Sequence, residues 1–527
     1  MRLRALIPVA ACALAATAAV PASAAPVPAG PAGPPDGLVW VVSLGDSYIS
    51  GEAGRWAGNQ SFTTADVDAL GRSAYWDAGD RESIERCHRS RSAAIHIGVV
   101  KSLNLACSGA ITRTMFDDDG DFKPGIDFYD QAGRKGQALM LQEFASQNNV
   151  RMVALSIGGN NFHFSDIIEQ CVKDFLVPIS SPKCREDDEV NSYVSESATE
   201  KVRSDTVEAI LNVAQAMDNA GYEDSDWTLV LQLYPQSLPG SGDMRYGEFG
   251  YARQYDGGCG FRDADLDWAT GTLLPLVNRT FRGAGQDAQA ERPTLQIAVM
   301  DTSRAFHQRQ LCHDRVWRVQ ERNMWGTLKG PKNWQAEGAV DQSEWVMEIN
   351  IINAFETYQQ ESLHPNLWGQ LALRNCWRQV WNGGDVQGGV CERHEAGGLT
   401  ADCEPRMTLV SNESRRRSFS PVSETAADEV RVTLRCPAIS LAAGERAVLR
   451  GRVTGADPDA RVRLQMRWDS GAWRDQGSRR PAADGSYRFT WEVPATARAG
   501  RIYQWRVVVT AGTAVLATSR VRTTPVR

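Results

Sequence analysis

The chain reads as an α/β protein built on a parallel sheet covered on both faces, followed by a small all-β sandwich. Three observations predict this. Short aliphatic runs without in–out alternation recur from Leu38 onward, as strands buried on both faces require. Longer stretches with helical spacing separate them, as right-handed crossovers between parallel strands demand. After Val430 the texture changes to short β runs divided by turn signals such as Asp484-Gly485-Ser486, which mark an antiparallel sandwich of roughly immunoglobulin size.

The elements follow in order. Residues 38–44 form a strand that stops at Gly45-Asp46-Ser47, and residues 103–106 a second, short one. Residues 136–147 carry apolar positions at helical spacing, and residues 152–157 form a strand ended by Gly158-Gly159. Residues 195–220 make a long helix closed by Gly221, residues 227–233 a strand stopped before Pro235, and residues 265–281 a helix that Pro275 should kink. A strand over 295–300 and a helix over 365–381 complete the α/β part.

The ends fix the rest of the organisation. Arg2 and Arg4, the apolar residues 5–20 and Ala22-Ser23-Ala24 read as a secretory signal peptide over 1–24. Its apolar core is too short for a membrane span, and no later stretch is long enough, so the expectation is a secreted, extracellular protein. Residues 25–37 are a Pro/Gly-rich tether, 38–410 the α/β domain, 411–429 a linker and 430–527 the sandwich. The linker's Arg415-Arg416-Arg417 run reads as solvated chain. A net charge of −7 argues against nucleic acid or an anionic membrane surface as the main partner, local patches apart.

Eleven cysteines become an even ten once Cys12 leaves with the signal peptide, which suits disulfides in an oxidising compartment. Pairing of neighbours is expected: Cys87–Cys107, Cys171–Cys184, Cys259–Cys312, Cys376–Cys391 and Cys403–Cys436. No CxxC pair or HExxH helix marks a metal site, so neither metal nor other cofactor is expected.

Chemistry concentrates where the apolar runs end, which in such sheets is where active sites lie. Gly45-Asp46-Ser47 offers a turn or a nucleophile; Gly109 in Ala106-Cys107-Ser108-Gly109-Ala110 allows a backbone N–H to approach a ligand. Gly158-Gly159-Asn160 leaves an amide side chain able to donate to an oxyanion. Glu361-Ser362-Leu363-His364-Pro365 offers an imidazole with a carboxylate three residues upstream. Each alone is more often a turn, a cap or a surface histidine. The set and its order carry the argument.

That ordered set resembles the GDSL, or SGNH, hydrolase family, and GDSY with SGE and ACSGA are similar to its secreted actinobacterial members. The resemblance spans residues 41–381 and implies a three-layer α/β/α, flavodoxin-like SGNH hydrolase fold and hydrolysis of an acyl ester. The implied roles are Ser47 as nucleophile, His364 as base, Glu361 as its orienter, and Ser47, Gly109 and Asn160 as oxyanion donors. The chain departs from the pattern twice: Asn161 stands where the family usually has Asp, and Glu361 replaces the Asp of DxxH. Some members hold the histidine with a backbone carbonyl instead, so Glu361→Ala separates the two versions of the base.

The tryptophan-rich residues 316–345 suggest either a lid that receives an acyl chain or a small subdomain with its own core. The expected partner is a small-molecule or lipid-like ester, with removal of acetyl groups from polysaccharide as the near competitor. In a rival reading the α/β domain is inert and the sandwich binds surfaces or sugars through Trp468, Trp473, Trp491 and Trp505. Most of these alternate with polar residues as core positions do, which favours the core reading.

Overall fold

A computed structural model describes residues 33–60, 65–177, 183–350, 360–411, 430–434, 441–456, 459–468, 471–499, 501–512, 514–519 and 521–526. The signal peptide, most of the tether, most of the linker and Cys436 lie outside the described residues.

A seven-stranded sheet organises the first part. Its strands are β1 (Val39–Gly45), β2 (Lys101–Asn104), β3 (Asn149–Ser156), β4 (Thr228–Gln232), β5 (Ile297–Asp301), β6 (Gly389–Arg393) and β7 (Met407–Val410). They lie in the order β7-β6-β5-β4-β3-β1-β2. All neighbours are parallel except β6 and β7, which are antiparallel. From β1 the chain steps outward to β2, then returns past β1 to β3 and continues the other way. The strand order therefore reverses between β1 and β3, and the crevice outside their carboxyl ends is where such sheets bind ligands.

Both faces of this sheet are buried. Val41, Met152, Ala154, Val230 and Met300 point into one core, where Leu373, Trp377 and Val380 of α6 (Leu367–Trp381) meet them. Val42, Leu44, Val153, Leu155, Leu229 and Leu231 point into the other. There they pack with Leu141 of α2 (Gln137–Ala145), Ile210 and Val213 of α4 (Glu196–Asn219), and Ala284 and Ala288 of α5 (Leu274–Glu291). Side chains at successive strand positions thus alternate between two dry layers, which is why the strands read as aliphatic runs.

A helix over Asp263–Trp268 passes through a π turn, Ala269–Leu273, into α5, so helical backbone runs on across Pro275. The irregularity expected at this proline takes the form of the π turn directly before it. α3 (Phe164–Leu176) and strands β6 and β7 are additions to the sequence-based expectation.

Residues after 430 form two antiparallel sheets sharing one core. One contains β8 (Arg431–Leu434), β9 (Arg446–Thr454) and β12 (Ser486–Glu492). The other contains β10 (Arg461–Trp468), β11 (Arg474–Arg479), β13 (Ile502–Ala511), β14 (Ala514–Thr518) and β15 (Arg522–Pro525). Leu449, Phe489, Leu464, Trp505 and Val507 fill the space between them. Trp505 is fully buried, and Trp468 and Trp491 pack half-buried against the same core. Trp473 is held under the guanidiniums of Arg467 and Arg506, at 4.7 and 4.4 Å.

The four disulfides Cys87–Cys107, Cys171–Cys184, Cys259–Cys312 and Cys376–Cys391 form as expected. Cys403 is disulfide-bonded too, while its expected partner Cys436 falls outside the described residues. Disulfides of this number fit a secreted protein. Among the described residues no helix is long and apolar enough to cross a membrane.

Candidate active site

The end of β1 is held by glycine chemistry. Gly45 has φ +137°, and a Cβ there would lie 1.9 Å from the Ser156 carbonyl oxygen of β3, so only glycine fits. The Gln137 side chain clamps the same peptide, accepting from Gly45 N–H at 2.7 Å and donating to Gly45 O at 2.9 Å. Asp46 caps the short helix α1 (Ser47–Ser50), its carboxylate accepting from Tyr48 N–H at 3.1 Å. Ser47 is thereby pinned at the strand mouth, 5 % exposed.

A tyrosine ties this block to the glycine pair after β3. The Tyr234 hydroxyl donates to the Asp46 carboxylate and accepts from Gly159 N–H at 2.9 Å. Burial, only partly opposed by the Tyr234 and backbone hydrogen bonds, pushes the Asp46 pKa up to about 7. Gly158 takes φ +106°, and a Cβ there would meet the Phe281 ring at 2.6 Å.

His364 Nε2 lies 2.6 Å from Ser47 Oγ. Its Nδ1 lies 2.9 Å from the Ser362 carbonyl oxygen. A carbonyl can only accept, so the Nδ1 atom carries the proton and the Nε2 lone pair faces the serine hydroxyl. The tautomer is the one a general base needs. Leu363, between them, has φ +61°, a left-handed conformation uncommon for a branched residue. It is held by Leu363 N–H to Met347 O at 3.3 Å and Tyr48 hydroxyl to Leu363 O at 3.0 Å. Burial lowers the His364 pKa; the Glu52 charge and the Ser362 carbonyl oppose this in part.

Glu361 does not orient the imidazole. Its carboxylate accepts from Trp56 Nε1 at 2.7 Å and from the Tyr75 hydroxyl. The left-handed step at Leu363 turns the backbone between the two residues, so the histidine faces Ser47 while the glutamate enters the core. Burial first, and the Glu52 charge second, push the Glu361 pKa up to about 7. Beside it, His88 is stacked on Tyr75 with ring centroids 4.3 Å apart and bonds Glu52 at 2.7 Å. Burial disfavours the His88 cation, but the Glu52 and Glu82 carboxylates outweigh it and raise the pKa to about 9. His88 is thus a satisfied core histidine.

Gly109 and Asn160 line the same cavity as Ser47 and His364, an open cleft of about 420 Å³. Gly109 follows the Cys87–Cys107 bridge and has φ +80°. Among the described residues, the N–H groups of Ser47 and Gly109 make no hydrogen bond within the protein. Asn160 Nδ2 donates to Ala110 O at 2.8 Å, which fixes the amide plane and leaves its second N–H for a ligand. Asn161 supports the loop beneath, bonding Thr112 N–H at 3.1 Å and Thr112 Oγ1 at 2.9 Å.

The cleft wall is apolar: Phe164 and Ile168 of α3, Leu274 and Val277 of α5, Ile349 and Leu363. Among the described residues, none of those lining the cleft comes from the tryptophan-rich segment 316–345, where Trp334 and Trp345 are buried and Trp325 is 81 % exposed. The buried tryptophans favour the subdomain over the lid. At the rim Arg86 pairs with Asp119 and Asp121 at 3.2 and 2.9 Å, and Lys123 with Asp117 at 3.6 Å. Each acid of that triplet is thus engaged in an ion pair with one of the two cations.

No family profile matches the chain, and no curated protein does. Among solved structures, similarity is found to the sensor domain of the anti-sigma factor RsgI4 from Pseudobacteroides cellulosolvens, at 15 % identity over 19 % of this chain and 97 % of that one, TM-score 0.16. The fibronectin type-III domain of human fibronectin type III domain containing protein 3 gives 13 % identity, 20 % and 92 % coverage and TM-score 0.14. An engineered protein gives 11 % identity over 76 % and 84 %, TM-score 0.18. Likenesses this low carry no argument about fold or function.

Proposed function

We propose that this protein is an exported serine hydrolase of the GDSL/SGNH type that cleaves acyl esters, lipid-like ones by preference. The reading rests above all on the 2.6 Å contact between Ser47 Oγ and a His364 nitrogen left unprotonated by the Ser362 carbonyl. Strand order β2-β1-β3-β4-β5 supports a flavodoxin-like SGNH sheet, because it reverses at the strands that carry Ser47 and Asn160. The all-β part is read as an immunoglobulin-like domain.

In the mechanism Ser47 Oγ attacks the ester carbonyl carbon while His364 Nε2 takes the hydroxyl proton. Negative charge on the carbonyl oxygen is met by the N–H groups of Ser47 and Gly109 and by the second N–H of Asn160 Nδ2. The imidazolium, steadied by the Ser362 carbonyl, gives its proton to the leaving alcohol. Water, deprotonated by the same nitrogen, then releases the acid from the acyl-serine. The base is a dyad with a backbone orienter, and Glu361 supports the loop. The apolar wall from Phe164 to Leu363 favours an acyl chain over a bare acetyl group.

A panel of chromogenic esters of rising chain length, with acetylated glycans alongside and Ser47→Ala as the blank, tests the reading. Turnover of acyl esters, lost in Ser47→Ala, is expected. Turnover equal in the two proteins overturns it, and activity confined to acetylated glycans overturns the lipid-like preference.

A further inference from the structure

Charge is distributed very unevenly along this chain. Residues 430–527 hold eighteen arginines, no lysine and seven acidic residues, a net +11, whereas the whole chain is −7. Such an asymmetry between parts of one protein signals an anionic partner for the basic part. The structure shows where the charge collects. On the outer face of one sheet Arg450 of β9 and Arg488 of β12 are direct cross-strand partners. Like charges in that relation destabilise a sheet. Both are exposed, and among the described residues neither has an acidic partner.

Neighbouring acids pair with other arginines: Glu492 with Arg446 at 3.1 Å, Asp475 with Arg463 at 3.4 Å, Asp459 with Arg480 at 3.1 Å and Asp484 with Arg452 at 3.4 Å. Arg479 lies over the Phe489 ring at 4.3 Å and donates to the Arg488 carbonyl. Arg450, Arg452, Arg479, Arg480 and Arg488 line an open groove of about 590 Å³, with Asp484 as its acid. Guanidinium is the cation whose planar fork matches phosphate oxygens. A groove of guanidiniums offers the forked donors that suit phosphate oxygens.

We propose that this groove docks the protein onto anionic phospholipid surfaces, the arginines holding headgroup phosphates. The choice of a lipid surface rests on the proposed lipid-like ester substrate; the anion-binding groove itself does not. Attraction of the basic sandwich and repulsion of the acidic remainder act over the same Debye length, about 10 Å at moderate salt. Their opposite signs favour an approach with the sandwich toward the surface.

The test uses the full chain with Ser47→Ala, so that no lipid is consumed. Co-sedimentation is measured with vesicles of phosphatidylcholine alone and of phosphatidylcholine mixed with phosphatidylglycerol. Binding to the mixed vesicles alone is expected, lost at about 1 M salt, where the Debye length is about 3 Å. Adding Arg450→Ala and Arg488→Ala together should weaken it by about tenfold or more, since each guanidinium at such a surface contributes roughly fivefold. In the otherwise native enzyme the same pair should leave hydrolysis of a soluble ester unchanged. Equal binding to both vesicle types, or a double variant that binds like its parent, overturns the proposal. So does retention of soluble polyphosphate without vesicle binding. Because Ser47→Ala is the parent, failure of the hydrolase reading appears only in the ester assay and leaves this measurement intact.

Discussion

At the scale of single residues, the proposed chemistry reduces to how one imidazole is held. A backbone carbonyl at 2.9 Å from Nδ1 fixes the tautomer without adding a negative charge. Burial keeps the His364 pKa below its ordinary value. The base acts when neutral, so kcat/KM should stay level through the ordinary histidine range and fall only below about pH 6.5. A pH–rate profile with its midpoint above that value contradicts this. Asn160→Ala should lower kcat by about a hundred- to a thousandfold while substrate still binds; wild-type turnover would remove Asn160 from the oxyanion site. Glu361 has a structural part. Glu361→Ala strands the buried Trp56 and Tyr75 donors and should cost about 1–3 kcal/mol of stability. Its kcat loss should stay far smaller than that of His364→Ala, measured at a temperature where both are folded. The Glu361 pKa is raised in the folded state to about 7, above the unfolded value near 4.3. The folded state then binds the extra proton between these values, and the contribution of this carboxyl to stability falls as pH rises through that window. Glu361→Gln should flatten that part of a Tm-against-pH curve; an unchanged slope would contradict it.

At the scale of elements, the site is a meeting of four loops, at the ends of three neighbouring strands and at one helix entrance. The Cys87–Cys107 bridge closes a loop with sequence separation 20 next to Gly109. Replacing both cysteines by serine should cost about 3 kcal/mol by loop entropy, read by denaturant unfolding; an unchanged midpoint would show that the bridge does little. Strand mouths were legible in the sequence because β1, β3, β4 and β5 are aliphatic on both faces and end at glycine, proline or a polar residue. Neighbour pairing of cysteines was legible for the same local reason. The role of Glu361 was not, since residue spacing says nothing of a left-handed φ at Leu363. That conformation decides which of two side chains faces Ser47. α3 went unread although Ile167, Ile168, Cys171, Val172 and Phe175 line one helical face; the periodicity was there to find. Strands β6 and β7 are short, and their pairing is a tertiary outcome that no local pattern announces.

At the scale of the whole molecule, two chemistries of charge divide the chain. The α/β part carries a cleft with an apolar wall, and its rim cations Arg86 and Lys123 pair with Asp117, Asp119 and Asp121. The sandwich leaves arginines unbalanced on an exposed sheet face. Composition alone, at −7 for the chain, hides this division because the basic part offsets more than half of the acidic excess of the rest. One part would carry out the reaction and the other bring it to a surface where its substrate is concentrated. The central claim is that Ser47 is an activated nucleophile, and labelling with a serine-reactive phosphonate followed by peptide mass spectrometry tests it most directly. A single adduct on the peptide containing Ser47, absent in His364→Ala and retained in Glu361→Gln, is the predicted result. No adduct in the folded native protein, or one that persists without His364, would contradict it.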